Sequence, residues 1–263
     1  MGEWEYESSR IVVERYSRKL LNALKCDVLI AGAGPAGMVA AYYLAQADLR
    51  VTMVERGLAP GGGAWGGGMG RNEVVVHEEA RAVLDELGIA AEPESKGLFG
   101  LDSMYLGSSL CCRALQEGAT ILNLVAIEDV MMEDGRLTGL AVNLSGMDVA
   151  EQRTDPLVMS ARAVIDGTGR EAAVVRLVQA HGGKLETETG EVMGLGPMQA
   201  RAAEQFVVEH TGLVFPGLYV AGTAAAAVHG GPRMGPIFGG AVLSGKKAAE
   251  LVQKELKTKG RAR

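Results

Sequence analysis

Gly32, Gly34 and Gly37 stand in the spacing GxGxxG within GAGPAG, and an acid, Glu55, follows 18 residues after the last of them. Glycines so placed permit a tight turn and a close approach of backbone to a pyrophosphate, and a helix N-terminus behind them favours the negative charge. An acid about 20 residues on takes ribose hydroxyls. The chemistry is binding of an adenine dinucleotide, and NAD, FAD and other ADP-bearing molecules all fit. A second glycine run, residues 57–70 (GLAPGGGAWGGGMG), follows Glu55 closely enough to wrap such a ligand, and its N–H groups can form an anion-binding concavity. Trp65 within it either covers the ligand or anchors the loop. Arg233, in VHGGPRMGPIFGG, is framed by glycine turns ahead of a helix, a natural setting for a guanidinium that clamps a carboxylate or phosphate. In EQRTDPLVMSARAVIDGTGREAAVV, Arg153 stands two residues before Asp155, and Arg170 follows Thr168-Gly169. That segment suits either a bound metal or an anion that needs two fixed positive charges.

These residues require strands and helices to position them. DVLIA (27–31) is a short apolar run that predicts a buried parallel strand. GAGPAG, the helix MVAAYYLAQA and a second strand LRVTMVE ending at Glu55 complete a βαβ unit, which sets the class as α/β. Residues 8–24 place Ile11, Val12, Tyr16, Leu20, Leu21 and Leu24 on one helical face. VHEEARAVLDELG and the region around 103–117 read as helices. ATILNLVAIEDV, MMEDGRLTGLAVNL and SARAVIDGTG read as strands, with Asp134-Gly135 a hairpin turn. A helix over QARAAEQFVVEH, a strand GLYVAG, a glycine-rich loop and a closing helix from about 237 to 257 follow. Residues 57–70 are expected to hold no regular element. The expectation is one domain, 1–263, with a Rossmann-like dinucleotide-binding fold and a small inserted β layer.

Composition narrows the function class. The formal charge is −6 and no basic cluster precedes the tail KTKGRAR, which argues against nucleic acid. Three cysteines, Cys26, Cys111 and Cys112, lack framework or zinc spacing and point to a reducing compartment. No apolar run reaches about 18 residues and no signal segment leads the chain, so a soluble cytoplasmic protein is expected. The 37 glycines, against roughly 18 at average usage, cluster at 32–37, 57–70 and 230–240. A flavin enzyme of this architecture carries Ala-x-Gly-Asp late in the chain, and here Thr223 takes the place of that Asp.

The chain resembles the thiamine thiazole synthase family, the ADP-thiazole synthases. The resemblance runs through SRIVVERYSRKLL, DVLIAGAGPAGMVAAYYLA, PGGGAWGGGM, NEVVVHEEA, IEDVMMEDGRLTGLAVN, TDPLVMSARAVIDGTG and PGLYVAGTAAAAVHGGPRMGPIFGGAVLSGKKAAE. It implies thiamine biosynthesis without flavin, in which NAD is a substrate. Nicotinamide leaves, the ribose isomerises to a ketone, glycine condenses, sulfur is added, and cyclisation gives an ADP-linked thiazole carboxylate. It implies a homo-octamer with sites shared between neighbouring subunits. By matching positions, Ala36, Glu55, Arg56, Gly63, Ile127 and the 153–155 segment, Thr154 included, contact NAD, and Arg233 holds the glycine carboxylate. Thr223 belongs with the cofactor-binding set.

In the family, a cysteine two residues before the Asp-Pro donates sulfur, or a histidine there accompanies external sulfide and ferrous iron. The iron is held by the Asp, here Asp155, and by the histidine of a Thr-Gly-His triplet. This chain has Arg153 and Arg170 at those positions. An arginine stays protonated and offers no lone pair, so neither ligates iron. The two guanidiniums would then supply the positive charge a metal gives. Of His77, His181, His210 and His229, only His229 lies near a site motif. The alternatives are an enzyme that stops at a sulfur-free glycine adduct of ADP-ribulose, a protein that only binds NAD, and a small flavoprotein.

Overall fold

The computed structural model describes residues 2–146 and 154–260. Its elements run α1 (Glu3–Ala23), β1 (Val28–Ala31), α2 (Pro35–Gln46), β2 (Val51–Glu55), β3 (Glu73–His77), α3 (Glu78–Glu86), β4 (Glu92–Pro93), β5 (Leu98–Asp102), α4 (Ser103–Gln116) and β6 (Thr120–Asn123). They continue with β7 (Val125–Glu133), β8 (Arg136–Leu144), β9 (Leu157–Ser160), β10 (Ala163–Asp166), α5 (Ala173–Ala180), α6 (Ala200–Glu209), β11 (Gly212–Phe215), β12 (Leu218–Val220), α7 (Thr223–His229) and α8 (Gly239–Gly260).

The main sheet has the order β11-β12-β10-β1-β2-β6, parallel except for β11 at one edge. β1 lies at its centre and is buried at every position, as a strand covered on both faces must be. One face packs against α2, α4 and α8, and α2 is hydrophobic almost all round because it is sandwiched there. The other face packs against α5, α7 and the sheet β7-β8-β9. Full burial of side chains such as Leu29 or Ile30 is worth about 1.5–3 kcal/mol each, so this strand anchors the core.

The α/β class and the βαβ unit are as the sequence predicts. Several elements differ. EVVVH forms β3, so Val76 and His77, read as the start of a helix, instead end a strand; β3 pairs with β5, and β4 joins them as a further small sheet. Its alternation of buried Val74 and Val76 with more open neighbours is a strand pattern too short to stand out beside the helix that follows. ATILNLVAIEDV is two strands in two sheets, broken at Leu124, whose φ is +57°. The second glycine run contains a 3-10 turn, Gly62–Gly66, and TAAAAVH is the helix α7. α1 starts earlier than read, and its apolar face is largely uncovered. Leu20 and Leu24 pack on the core, while Ile11, Val12, Tyr16 and Leu21 are exposed.

Candidate active site

The C-terminal ends of β1, β2, β10 and β12 open into one cleft of about 680 Å³. This is where an open parallel sheet places its ligands. Gly32 turns the chain out of β1 at φ +90°, and a Cβ there would lie 2.7 Å from the Gly167 carbonyl oxygen. Gly34 precedes α2 with ordinary backbone angles, and a Cβ on it would meet nothing within 4 Å; the same open space surrounds Gly63. Both line the cleft, so neither turn geometry nor packing requires glycine at either position. What glycine leaves at both is open room in the cleft. Gly37 is buried behind this wall, where a side chain would strike the Gly32 carbonyl.

The second glycine loop closes on the first. Gly61 N–H donates to Ala33 O at 2.7 Å, and the Trp65 indole donates to Pro60 O at 2.7 Å. Trp65 therefore ties the loop to itself; it does not line the cleft. Glu55 ends β2 in the cleft, and its carboxylate accepts N–H bonds from Ala33 at 2.9 Å and Gly57 at 2.7 Å. A carboxylate has about four acceptor sites, so two N–H donors leave capacity for hydroxyl donors. Arg56, Ala36, Ile127 and Thr223 line the same cleft.

The facing wall is built by side chains. Asp166 ends β10 fully buried. Its carboxylate accepts from Thr168 N–H at 2.9 Å, Thr168 Oγ1–H at 2.7 Å and Val175 N–H at 3.1 Å. Burial pushes this carboxyl up from its ordinary range, and the hydrogen bonds from Thr168 and Val175 oppose that. Asp166 thereby fixes the turn 167–169 and aims Arg170 and Glu171 at the cleft. Glu171 meets Arg56 in a bidentate pair at 2.8 and 2.9 Å across the mouth. Arg170 and Arg233 also line the cleft, and among the described residues neither guanidinium has a hydrogen-bond or ion-pair partner. Both are exposed to solvent, and two such cations on one cleft suit an anionic ligand.

Not every predicted site residue gathers here. Thr154 is exposed, accepting from Asn143 Nδ2 at 2.6 Å, and Asp155 is exposed; neither lines the cleft. Arg153 lies outside the described residues. His229 stands with His210, ring centroids 5.0 Å apart, and burial together with His210 lowers its pKa. No histidine or cysteine lines the cleft among the described residues, and no group of three or more His, Cys, Asp or Glu side chains suits a metal. The carboxylates of Glu55, Asp166 and Glu171 are already engaged by N–H donors or Arg56. Among the described residues of a single chain, this donor set does not fit an iron centre. Sequence reasoning missed Asp166 and Glu171, although a lone acid inside the apolar run AVID was a signal.

A protein-family model, the Thi4 family, matches residues 9–238. The chain belongs to the Thi4 family. It is 48% identical over 250 residues to a thiamine thiazole synthase of Methanothermobacter thermautotrophicus, covering 95% of this chain and 97% of the relative. To the thiamine thiazole synthase of Thermotoga maritima it is 46% identical over 249 residues, covering 95% and 97%. The crystal structure of Thermovibrio ammonificans THI4 superposes with a TM-score of 0.92 at 39% identity, covering 98% of this chain and 99% of that one. A geranylgeranyl bacteriochlorophyll reductase-like protein of Thermoplasma acidophilum, at 14% identity and TM-score 0.54, covering 89% and 79%, shares the fold alone. Among the described residues no helix is long and apolar enough to cross a membrane.

Proposed function

We propose that this Thi4-family chain is a cytoplasmic thiazole synthase of thiamine biosynthesis that uses NAD as a substrate. One observation carries the reading: a backbone wall shaped for a dinucleotide and two partnerless arginines share a single cleft. The relatives' activity, at 42–48% identity over nearly the whole chain, supports it.

The pyrophosphate lies against Gly34 and the α2 N-terminus, and Glu55 takes ribose hydroxyls. Water replaces nicotinamide at the glycosidic carbon, and the opened sugar isomerises from aldehyde to ketone. The amine of glycine adds to that ketone and water leaves, giving an imine whose carboxylate Arg233 holds as a bidentate pair. Sulfide addition and cyclisation, with the remaining excess hydroxyls lost as water and no net oxidation, then give the ADP-thiazole carboxylate. Arg170 holds developing or resident negative charge near this centre. Arg153 and Asp155 join the catalytic set, and Thr154 the NAD contacts, only through the resemblance.

The sulfur comes from outside the chain, as free sulfide or an equivalent donor. Position 153 is arginine, Cys26 is buried with its thiol pushed up to about 11, and neither Cys111 nor Cys112 reaches the cleft. Assembly as a homo-octamer fits the exposed apolar face of α1.

Incubation with NAD, glycine and sulfide, with and without ferrous iron, followed by mass spectrometry of the small molecules, tests this. Release of nicotinamide with an adenylated thiazole carboxylate is expected. Unchanged NAD under every condition would overturn the reading.

A further inference from the structure

Arg233 stands on a loop whose backbone is held on both flanks. On one side, Arg233 N–H donates to Pro197 O and Gln199 N–H donates to Arg233 O, each at 3.2 Å, and this strand-like pairing leads into α6. On the other, Phe238 N–H donates to Val75 O at 2.9 Å and Val75 N–H donates to Pro236 O at 3.4 Å, which docks the loop on β3. Beyond it the chain enters α8, and Ile237, Phe238 and Ala241 complete the cleft wall.

One buried carboxylate joins all three supports. Glu204, on α6, is only 5% exposed. Its Oε2 accepts the N–H of Gly240 at the start of α8 and lies 3.4 Å from Nε2 of His77, the last residue of β3. His77 Nδ1 is 2.7 Å from Glu79 Oε2 on α3. Glu204 Oε1 has no hydrogen-bond partner. The fit is close: a Cβ on Gly239 would lie 2.6 Å from the His77 ring and 2.8 Å from Glu204 Oε2. A negative charge at the first turn of α8 is well placed to accept a helix N–H that has no intrahelical partner. Leaving that charge buried without its cation is costly, so Glu204 and His77 hold β3, α6 and α8 together as one joint.

We infer that Glu204 and His77 are positioning residues that set Arg233 in its carboxylate-holding geometry, although neither lines the cleft. The inference rests on the assignment of Arg233 to the glycine carboxylate. It predicts a KM effect on one substrate. With the joint loosened, glycine should bind more weakly while NAD, held by the opposite wall, should bind as before. The joint is also pH-sensitive. Glu204 and then Glu79 raise the His77 pKa above its ordinary 6.5, against the opposing effect of burial. The charged joint is complete below that ordinary value and is lost as pH rises through the raised one.

The test compares the full-length protein with Glu204→Gln, His77→Gln and Arg233→Gln. It reads glycine KM, NAD KM, and hydrogen exchange of residues 233–240 in the free enzyme. Glu204→Gln and His77→Gln should each raise glycine KM about tenfold, with kcat and NAD KM within about twofold, and should speed exchange in 233–240. The ratio of His77→Gln to wild-type glycine KM should fall toward one as pH rises. If Arg233→Gln raises glycine KM but neither other variant does, the positioning role is wrong. If Arg233→Gln itself leaves glycine KM unchanged, the assignment beneath it fails. His77→Gln, at a half-buried position, keeps the test open should Glu204→Gln not fold.

Discussion

The two walls of the cleft are built by different means. The wall of β1, α2 and the 61–67 loop presents backbone: Gly34 and Gly63 line the cleft with open space where a side chain would stand. The wall from β10, the 167–171 turn and the 233–238 loop presents cations, each carried on a turn that is itself held by a buried carboxylate. Asp166 holds the turn of Arg170, and Glu204 the far end of the Arg233 loop. For the proposed NAD substrate, backbone recognition would suit the part common to every dinucleotide. Side-chain charge suits the reacting end, where the chemistry is particular to the enzyme.

Substitutions can break this comparison in graded ways. The largest effect should come from Gly32→Val, which puts a β-branched residue at φ +90° against the Gly167 backbone and spoils both walls at once. A loss of roughly 3 kcal/mol or more in urea unfolding, with no nucleotide binding, is expected. Next, Arg170→Gln or Arg233→Gln should lower kcat/KM about a hundredfold, on the scale of one lost charge-stabilising donor, and leave unfolding within about 0.5 kcal/mol. Steady-state rates beside a melting curve check it.

Gly34→Ala should do the reverse of a folding mutation. It should cost no more than about 1 kcal/mol of stability, since the added methyl meets nothing, yet weaken NAD binding by about tenfold in calorimetry. Equal binding by that variant would show that the backbone wall does not touch the ligand. The smallest effect belongs to Glu171→Gln, which breaks an exposed pair with Arg56 and should change stability by less than about 1 kcal/mol.

The backbone wall was legible in the sequence because glycine spacing and a following acid encode it within some 25 residues of chain, from Gly32 to Glu55. Gly32, Gly34, Ala36, Glu55, Gly63, Ile127 and Thr223 all line one cleft, and Gly37 shapes the wall from behind. The charged wall was legible only as isolated arginines. Asp166 reads as one acid at the end of an apolar strand, and Glu204 as one acid on an amphipathic helix. What each holds depends on pairings between segments far apart in the chain. β3 was lost for a related reason: five residues of alternation carry little weight beside the stronger helical period of α3.

The most direct test of the account is mass spectrometry of the small molecule released when freshly purified protein is denatured. An adenylated thiazole carboxylate is the predicted result, with Arg153 and Arg170 in place and no sulfur taken from the chain. Intact NAD, or a glycine adduct of ADP-ribulose without sulfur even after incubation with sulfide, would contradict it.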